Sequence, residues 1–384
     1  MPIAPITPIA IDPERQAKAK EYAHIRHRLL VVEMGIGAVL TLVWLFSGIS
    51  QALAEQIRQV TTNDFVVVAL YILVFGAVYF VVDLPLSYYS GFVLQHRYGL
   101  STQTLSGFVL DTLKGIAVSG VLGLLVMEVI YLLLRLSPDA WWLWTAGFLL
   151  LFTVVLSNLA PVLILPLFFK LTPLEDTELV ARLKALAERA HTRVSGVYSI
   201  NFSSKTTTAN AALMGLGNTR RIALGDTLLA HYGVDEIETI LAHELGHHVN
   251  RDIPLGIAFQ SVVTLVGLYL AQVGLQAGVR VFGFSGVSDI AAFPIFAAVM
   301  VAFGVVTLPL GNAFSRWRER KADRYALETT QKPGAFRDAM TRLANQNLSE
   351  VDPEPWVEWL LYSHPAIGKR IKMAEGYASP SRRL

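Results

Sequence analysis

Six apolar blocks, each long enough to cross a lipid bilayer, constrain this chain more than any other feature. They cover about residues 29–53, 65–91, 108–136, 141–168, 253–279 and 288–312. A helix needs about 20 predominantly apolar residues to span the hydrocarbon layer. Runs such as 65–82 and 148–156 are too continuous for the buried helices of a large soluble protein. Charged residues make up only 16% of the chain, against about 25% in a soluble domain, so the blocks read as spans of an integral membrane protein. The first 28 residues are polar and basic with no early apolar core, which argues against a cleavable signal peptide. The first span then serves as its own insertion signal. There is no cysteine, so disulfides and thiolate metal ligands are excluded. A net charge of +2 gives no reason to expect a nucleic-acid partner. The basic residues instead gather at alternate membrane ends, among them Arg15, Lys18, Arg26, Arg28, Arg97, Lys114, Lys170 and Arg316. The positive-inside rule places those segments, and both termini, on the cytoplasmic side. Trp141, Trp142 and Trp144 read as an interfacial belt on the opposite side.

Residues 1–170 are therefore expected to form a membrane domain with four spans. Residues 171–384 are expected to form a second domain that includes the last two. Within its soluble part, leucines at helical spacing predict a helix over 176–190, and alternation predicts a strand over 193–201. Segments 206–216 and 220–223 flank Gly217-Asn218-Thr219 as a hairpin. The helix expected over 234–250 carries the motif His243-Glu244-Leu245-Gly246-His247.

Two histidines four residues apart share one helical face, so both imidazoles can reach one tetrahedral zinc while Glu244 acts as base on a water beside it. A catalytic site needs a third ligand that leaves one position open. Glu319 fits, on a helix that continues directly from the sixth span. Asp323, one turn further, is placed to accept the outer N–H of a ligand histidine. The alternative for both acids is an ordinary charged face paired with nearby Arg and Lys. His248 points to another helical face and is left out of the ligand set. Glu33, Asp83, Glu128, Asn158, Gln260 and Gln272 lie inside or near the spans, where they face either a hydrated interior or the interface.

The order of these parts closely resembles the type I CAAX prenyl protease family, integral-membrane zinc metalloproteases of the a-factor-converting enzyme type. The resemblance runs from Gln95–Thr104, through Ala160-Pro161 to Leu174, Ser204-Lys205 to Ala211 and Arg221–Leu229, to the metal motif, Asn312–Ala326 and His364-Pro365. It implies a mainly α fold. A polytopic bundle of six spans would carry a cytoplasmic, gluzincin-like metalloprotease domain with a small β-sheet. The family's eukaryotic members have seven spans around a water-filled chamber; six blocks are found here. The resemblance also implies one Zn2+ held by His243, His247 and Glu319, with Glu244 as general base. It suggests Asn210 and Ala211 on an edge strand that pairs with substrate backbone, His364 on the developing oxyanion, and Arg370 supporting His364. The implied partners are a peptide or protein substrate, prenylated or not, and the bilayer. The implied location is the cell (inner) membrane of a prokaryote, with the active site facing the cytoplasm. Two other readings are a quality-control protease like the shorter HtpX-type membrane proteases, and a non-catalytic scaffold or chaperone with structural zinc. An intact Glu244 argues against the second, since a structural site needs no base.

Overall fold

The computed structural model of the protein describes residues 9–215 and 220–378. Six of its helices are long and apolar enough to cross a membrane. The first, α1 (Pro13–Phe46), starts where Asp12 caps the backbone N–H groups of Glu14 and Arg15. It ends earlier than the apolar pattern suggests. Gly48 takes a left-handed φ of 78°, and residues 49–53 belong to a separate amphipathic helix, α2 (Ile49–Val60). Glycine alone enters that region without a steric cost, so Ser47-Gly48 turns the chain before the apolar block is exhausted.

The second span is α3 (Asp64–Tyr88), continued through a π turn into α4 (Leu94–Arg97). The third is α5 (Leu105–Leu136). The fourth is α6 (Trp141–Leu159), extended through a π turn that contains Pro161 into α7 (Leu165–Phe168). After β1 (Leu171–Pro173) come α8 (Thr177–Arg189), β2 (Gly196–Ile200), β3 (Ala211–Met214), β4 (Arg221–Gly225), the short α9 (Asp226–Leu229) and α10 (Val234–Val249). The last two spans are α11 (Asp252–Phe282) and α12 (Phe293–Thr330), followed by α13 (Pro333–Gln346), α14 (Pro355–Leu361) and α15 (Ile367–Ala378). The expected hairpin turn at 217–219 lies outside the described residues.

The spans form a ring. Along it α1 packs on α3, α3 on α5, α5 on α6, α6 on α11, α11 on α12, and α12 again on α1. Between 0% and 28% of each apolar window is buried, so the helices have no common packed centre along most of their length. At one end an apolar cluster fills the ring, with Tyr71, Tyr131, Leu134, Trp141, Leu275 and Ala292 from five spans and Ile57 from α2. Trp141 belongs to this plug. It is fully buried and its indole N–H donates to Gln272 Oε1, while Gln272 donates to the Pro138 carbonyl (3.1 Å). The belt expected of three tryptophans is thus carried at Trp144, which is 63% exposed, and not at Trp141. Gln272 is likewise a packed joint between spans, not a lining residue.

At the other end sits the metal-motif domain. Its four-stranded sheet has the order β1-β2-β4-β3, with β2 and β4 parallel and the outer pairs antiparallel. Its core joins Leu183 and Leu186 of α8, Ile222 and Leu224 of β4, Leu241 and Leu245 of α10 and Phe336 of α13. The domain is tied to the ring by the loop between spans two and three. Ser101 bridges to Thr206, and Lys205 Nζ lies 2.5 Å from Asp111 Oδ2 on α5 and over the Phe169 ring.

Candidate metal centre and substrate cleft

The motif helix starts at Gly233, whose N–H is accepted by Glu236 (2.6 Å), with Asp235 and Glu236 in the first turn where negative charge is favoured. It packs along α12 so closely that a Cβ built on Gly246 would lie 2.9 Å from Cα and 3.1 Å from the carbonyl oxygen of Ala322. Only glycine permits that approach, and the approach brings α12 within reach of the two histidines. Glu319, one turn before Ala322, is delivered to them by a helix that runs unbroken out of the sixth span.

The donor atoms converge. His243 Nε2 lies 3.1 Å from His247 Nε2 and 3.3 Å from Glu319 Oε2; His247 Nε2 is 3.4 Å from Glu319 Oε1. Ligands about 2.0–2.1 Å from a tetrahedral zinc stand about 3.3 Å apart. Each imidazole is also held from behind. His243 Nδ1 is 2.8 Å from Asp323 Oδ1, and His247 Nδ1 is 2.7 Å from Asp252 Oδ2. A proton on each Nδ1 faces a carboxylate, so both Nε2 lone pairs point at one spot and neither can donate to the other. Glu319 Oε2 is buried without a hydrogen bond of its own. A cation satisfies all three atoms together. Burial opposes charge on His243, yet its contacts with Asp323 and Glu319 outweigh this and raise its pKa to about 9, whereas burial and the neighbouring His243 lower that of His247.

Asp252 is the residue that reading the sequence missed. Arg251 takes a left-handed φ of 56°, breaking α10 from α11 and returning Asp252 to the ring of His247. Its other oxygen meets the buried guanidinium of Arg318, which also donates to the Asn250 carbonyl. The available signal was an acid five residues beyond the second histidine, just past the helix end.

Asp323 is fully buried, as expected of a group that orients His243. Arg370 departs from its expected place. Its guanidinium binds both Asp323 oxygens (2.9 and 2.5 Å) and approaches His243 Nδ1 (3.4 Å), so it supports the acid behind the ligand and not His364. The reason is charge. Asp323 is a buried carboxylate that needs a counter-ion, whereas His364 is exposed. His364 Nε2 stands 3.3 Å from Glu319 Oε1, with Nδ1 at 2.9 Å from Ser363 Oγ. Glu244, partly buried, has no hydrogen-bond partner among the described residues, and burial pushes its carboxyl pKa up. His248 is not part of the donor group.

β3 is the outer strand of the sheet and shares the core with Leu241 and Leu245 of the motif helix. Gly225 N–H donates to the Asn210 carbonyl (2.9 Å). Bonded positions alternate along an antiparallel pair, so Ala211 turns its backbone groups away from the sheet. Its N–H meets Asn210 Oδ1 (2.8 Å), and no hydrogen bond from the Asn210 side-chain amide is found among the described residues.

A helix with two converging imidazoles, met by a carboxylate from the continuation of a membrane span, fits a class, the integral-membrane metallopeptidases. Comparison with known proteins gives the family. Residues 5–170 match the description "CAAX prenyl protease N-terminal, five membrane helices", four such helices being present here, and residues 173–378 match Peptidase family M48. The chain belongs to Peptidase family M48. It is 31% identical over 369 residues to the uncharacterized metalloprotease YhfN of Bacillus subtilis, covering 95% of this chain and 86% of that protein. It is also 31% identical over 313 residues to CAAX prenyl protease 1 of Saccharomyces cerevisiae, covering 76% and 68%. The crystal structure of S. mikatae Ste24p has the same fold, with a TM-score of 0.86 over 97% of this chain and 92% of that one at 23% identity.

Proposed function

We propose that the protein is a zinc metalloendopeptidase cutting membrane-tethered peptides. The observation that carries the reading is the convergence of two carboxylate-backed imidazoles and Glu319 on one point, beside a glutamate with no hydrogen-bond partner among the described residues. When bound, zinc polarises the scissile carbonyl and makes water acidic enough to deprotonate near neutral pH. His243, His247 and Glu319 would hold it, with Asp323 and Asp252 fixing the ring tautomers. Glu244 takes the proton of the attacking water and passes it to the leaving amine. His364, accepting at Nδ1 from Ser363, donates from Nε2 to the developing oxyanion, a contribution of about 3 kcal/mol if it acts as other such donors do. Arg370 acts through Asp323. Substrate backbone adds to the edge at Asn210 and Ala211.

We place the site on the cytoplasmic face of the cell membrane from the asymmetry of basic residues. The relatives named CAAX prenyl proteases make prenylated peptides the first substrates to try.

Glu244→Gln is the decisive variant. It should keep near-normal zinc content and an intact fold while peptidase activity falls at least about 100-fold. Metal analysis and cleavage of a farnesylated peptide and its unmodified counterpart measure both. Cleavage by the variant at the wild-type rate would refute the enzymatic reading; equal cleavage of the two peptides would remove prenylation from it.

A further inference from the structure

The flank of α12 that faces α14 and α15 carries a second feature, apart from the metal. Arg316 and Arg320, one turn apart, line a cavity of about 230 Å³ with Glu358, Trp359, Lys369 and Arg370. Its depth can be read from the contacts. The apolar part of the sixth span ends near Asn312, whose amide donates to the Leu360 carbonyl (2.7 Å). Arg316 Nη1 donates to the carbonyls of Glu358 (2.8 Å) and Tyr362 (2.5 Å). Helix α14 is thus clamped alongside the place where α12 leaves the hydrocarbon. At 1.5 Å per residue, Arg316 stands about 6 Å and Arg320 about 12 Å above Asn312. The headgroup layer is about 5–8 Å thick on each side, so Arg316 stands within it and Arg320 at its outer edge, within reach of a headgroup through its long side chain.

The cavity's charges do not cancel. Glu358 is already bound by Lys369 (2.5 Å) and by the Ala366 N–H (3.1 Å), and Arg370 is bound by Asp323. Arg316 donates to neutral carbonyls and shares the one Glu358 carboxylate with Lys369, so positive charge is left over. Arg320 is exposed and has no ion-pair partner among the described residues. Beside this excess, Trp356 and Trp359 expose 59% and 57% of their surface on one face of α14. Indoles at that depth are the usual membrane-interface anchors.

We propose that this cavity binds the headgroup of an anionic lipid from the leaflet on the metal-site side. The lipid phosphate sits between Arg316 and Arg320, and the acyl chains run past Trp359 and Trp356. Arginine forks suit phosphate oxygens, and a basic side chain near an anionic surface favours binding about fivefold. Such a lipid would hold the metal-bearing domain at a fixed depth against the bilayer.

The test uses the full chain in neutral detergent, titrated with a brominated short-chain phosphatidylglycerol while tryptophan fluorescence is followed, with the brominated phosphatidylcholine as control. Saturable quenching by phosphatidylglycerol alone is expected. Trp356→Phe with Trp359→Phe should remove most of the saturable quenching. Arg320→Gln should weaken binding about fivefold and Arg320→Glu about 25-fold; Arg320 is exposed and unpaired, so neither change threatens the fold. Equal quenching by the two lipids, or unchanged affinity in Arg320→Glu, would overturn the proposal. So would complete displacement of the lipid by millimolar inorganic phosphate, which would make this a free-phosphate site. Displacement by a peptide with a free C-terminal carboxylate but not by its amide would assign the cavity to substrate instead.

Discussion

Replacing Gly246 by alanine separates metal binding from stability, because the two respond to different terms. The added Cβ would stand 2.9 Å from Ala322 Cα and 3.1 Å from its carbonyl oxygen, both backbone atoms. Carbon atoms pack at about 3.5–4.0 Å, so α10 and α12 must part by about 0.6–1 Å. Overpacking of this kind costs about 1–3 kcal/mol. Alanine regains about 1 kcal/mol of helix propensity over glycine, so the net loss of stability is only about 0–2 kcal/mol. The metal site is less forgiving. His243 and His247 ride on one helix and Glu319 on the other, and ligand distances tolerate about 0.2 Å. We therefore expect zinc affinity to fall about 10–100-fold, as when the support of a ligand is removed. Chelator competition measures the affinity, and thermal unfolding of the zinc-free protein measures the fold. Ala322→Gly should not rescue the double variant, because the clash is with backbone. Wild-type zinc affinity in a folded Gly246→Ala protein would refute the view that contact between these helices sets the ligand geometry.

Asp252→Asn should lower zinc affinity about 10–100-fold by releasing His247, and should lower the melting temperature by leaving Arg318 without its carboxylate; chelator competition together with calorimetry would show whether both effects appear. Glu238 is buried, which opposes its ionisation, yet its bonds to Lys332 (2.6 Å) and Arg182 (2.5 Å) hold its carboxyl pKa below the usual range. A carboxylate depressed in the folded state stabilises it above the unfolded pKa of about 4.3 and loses that contribution as pH falls further. The melting temperature should therefore drop below about pH 4, and less steeply in Glu238→Gln; parallel curves from pH 3 to 6 would exclude the ion cluster as the cause.

What could be read from the sequence was whatever depends on spacing along one helix. Six spans, the four-residue step from His243 to His247 and the run of the sixth span into Glu319 are all of this kind. What could not be read depends on partners distant in the chain. Trp141 looks interfacial by position and is buried because Gln272, on another span, accepts its N–H. Arg370 follows a loop histidine in sequence but is claimed by the buried charge of Asp323, 47 residues away. Asp252 escaped notice because a left-handed residue at Arg251 returns it to the helix it has just left, a bend that a non-glycine residue gives no reason to expect.

The closed ring was also invisible in the sequence, and it bears on the chemistry. Two of the proposed ligands lie on α10, which leads into the fifth span, and the third lies on the continuation of the sixth. The α11–α12 hairpin therefore joins the two helices through the membrane, as their packing at Gly246 joins them beside the proposed ligands. Any spreading of the ring between those two spans is transmitted to the distance between Glu319 and the histidines. Outside the apolar plug at one end, the span helices share no packed core along most of their length to absorb movement. The proposed metal site thus lies where the geometry of the membrane ring and that of the sheet-bearing domain must agree.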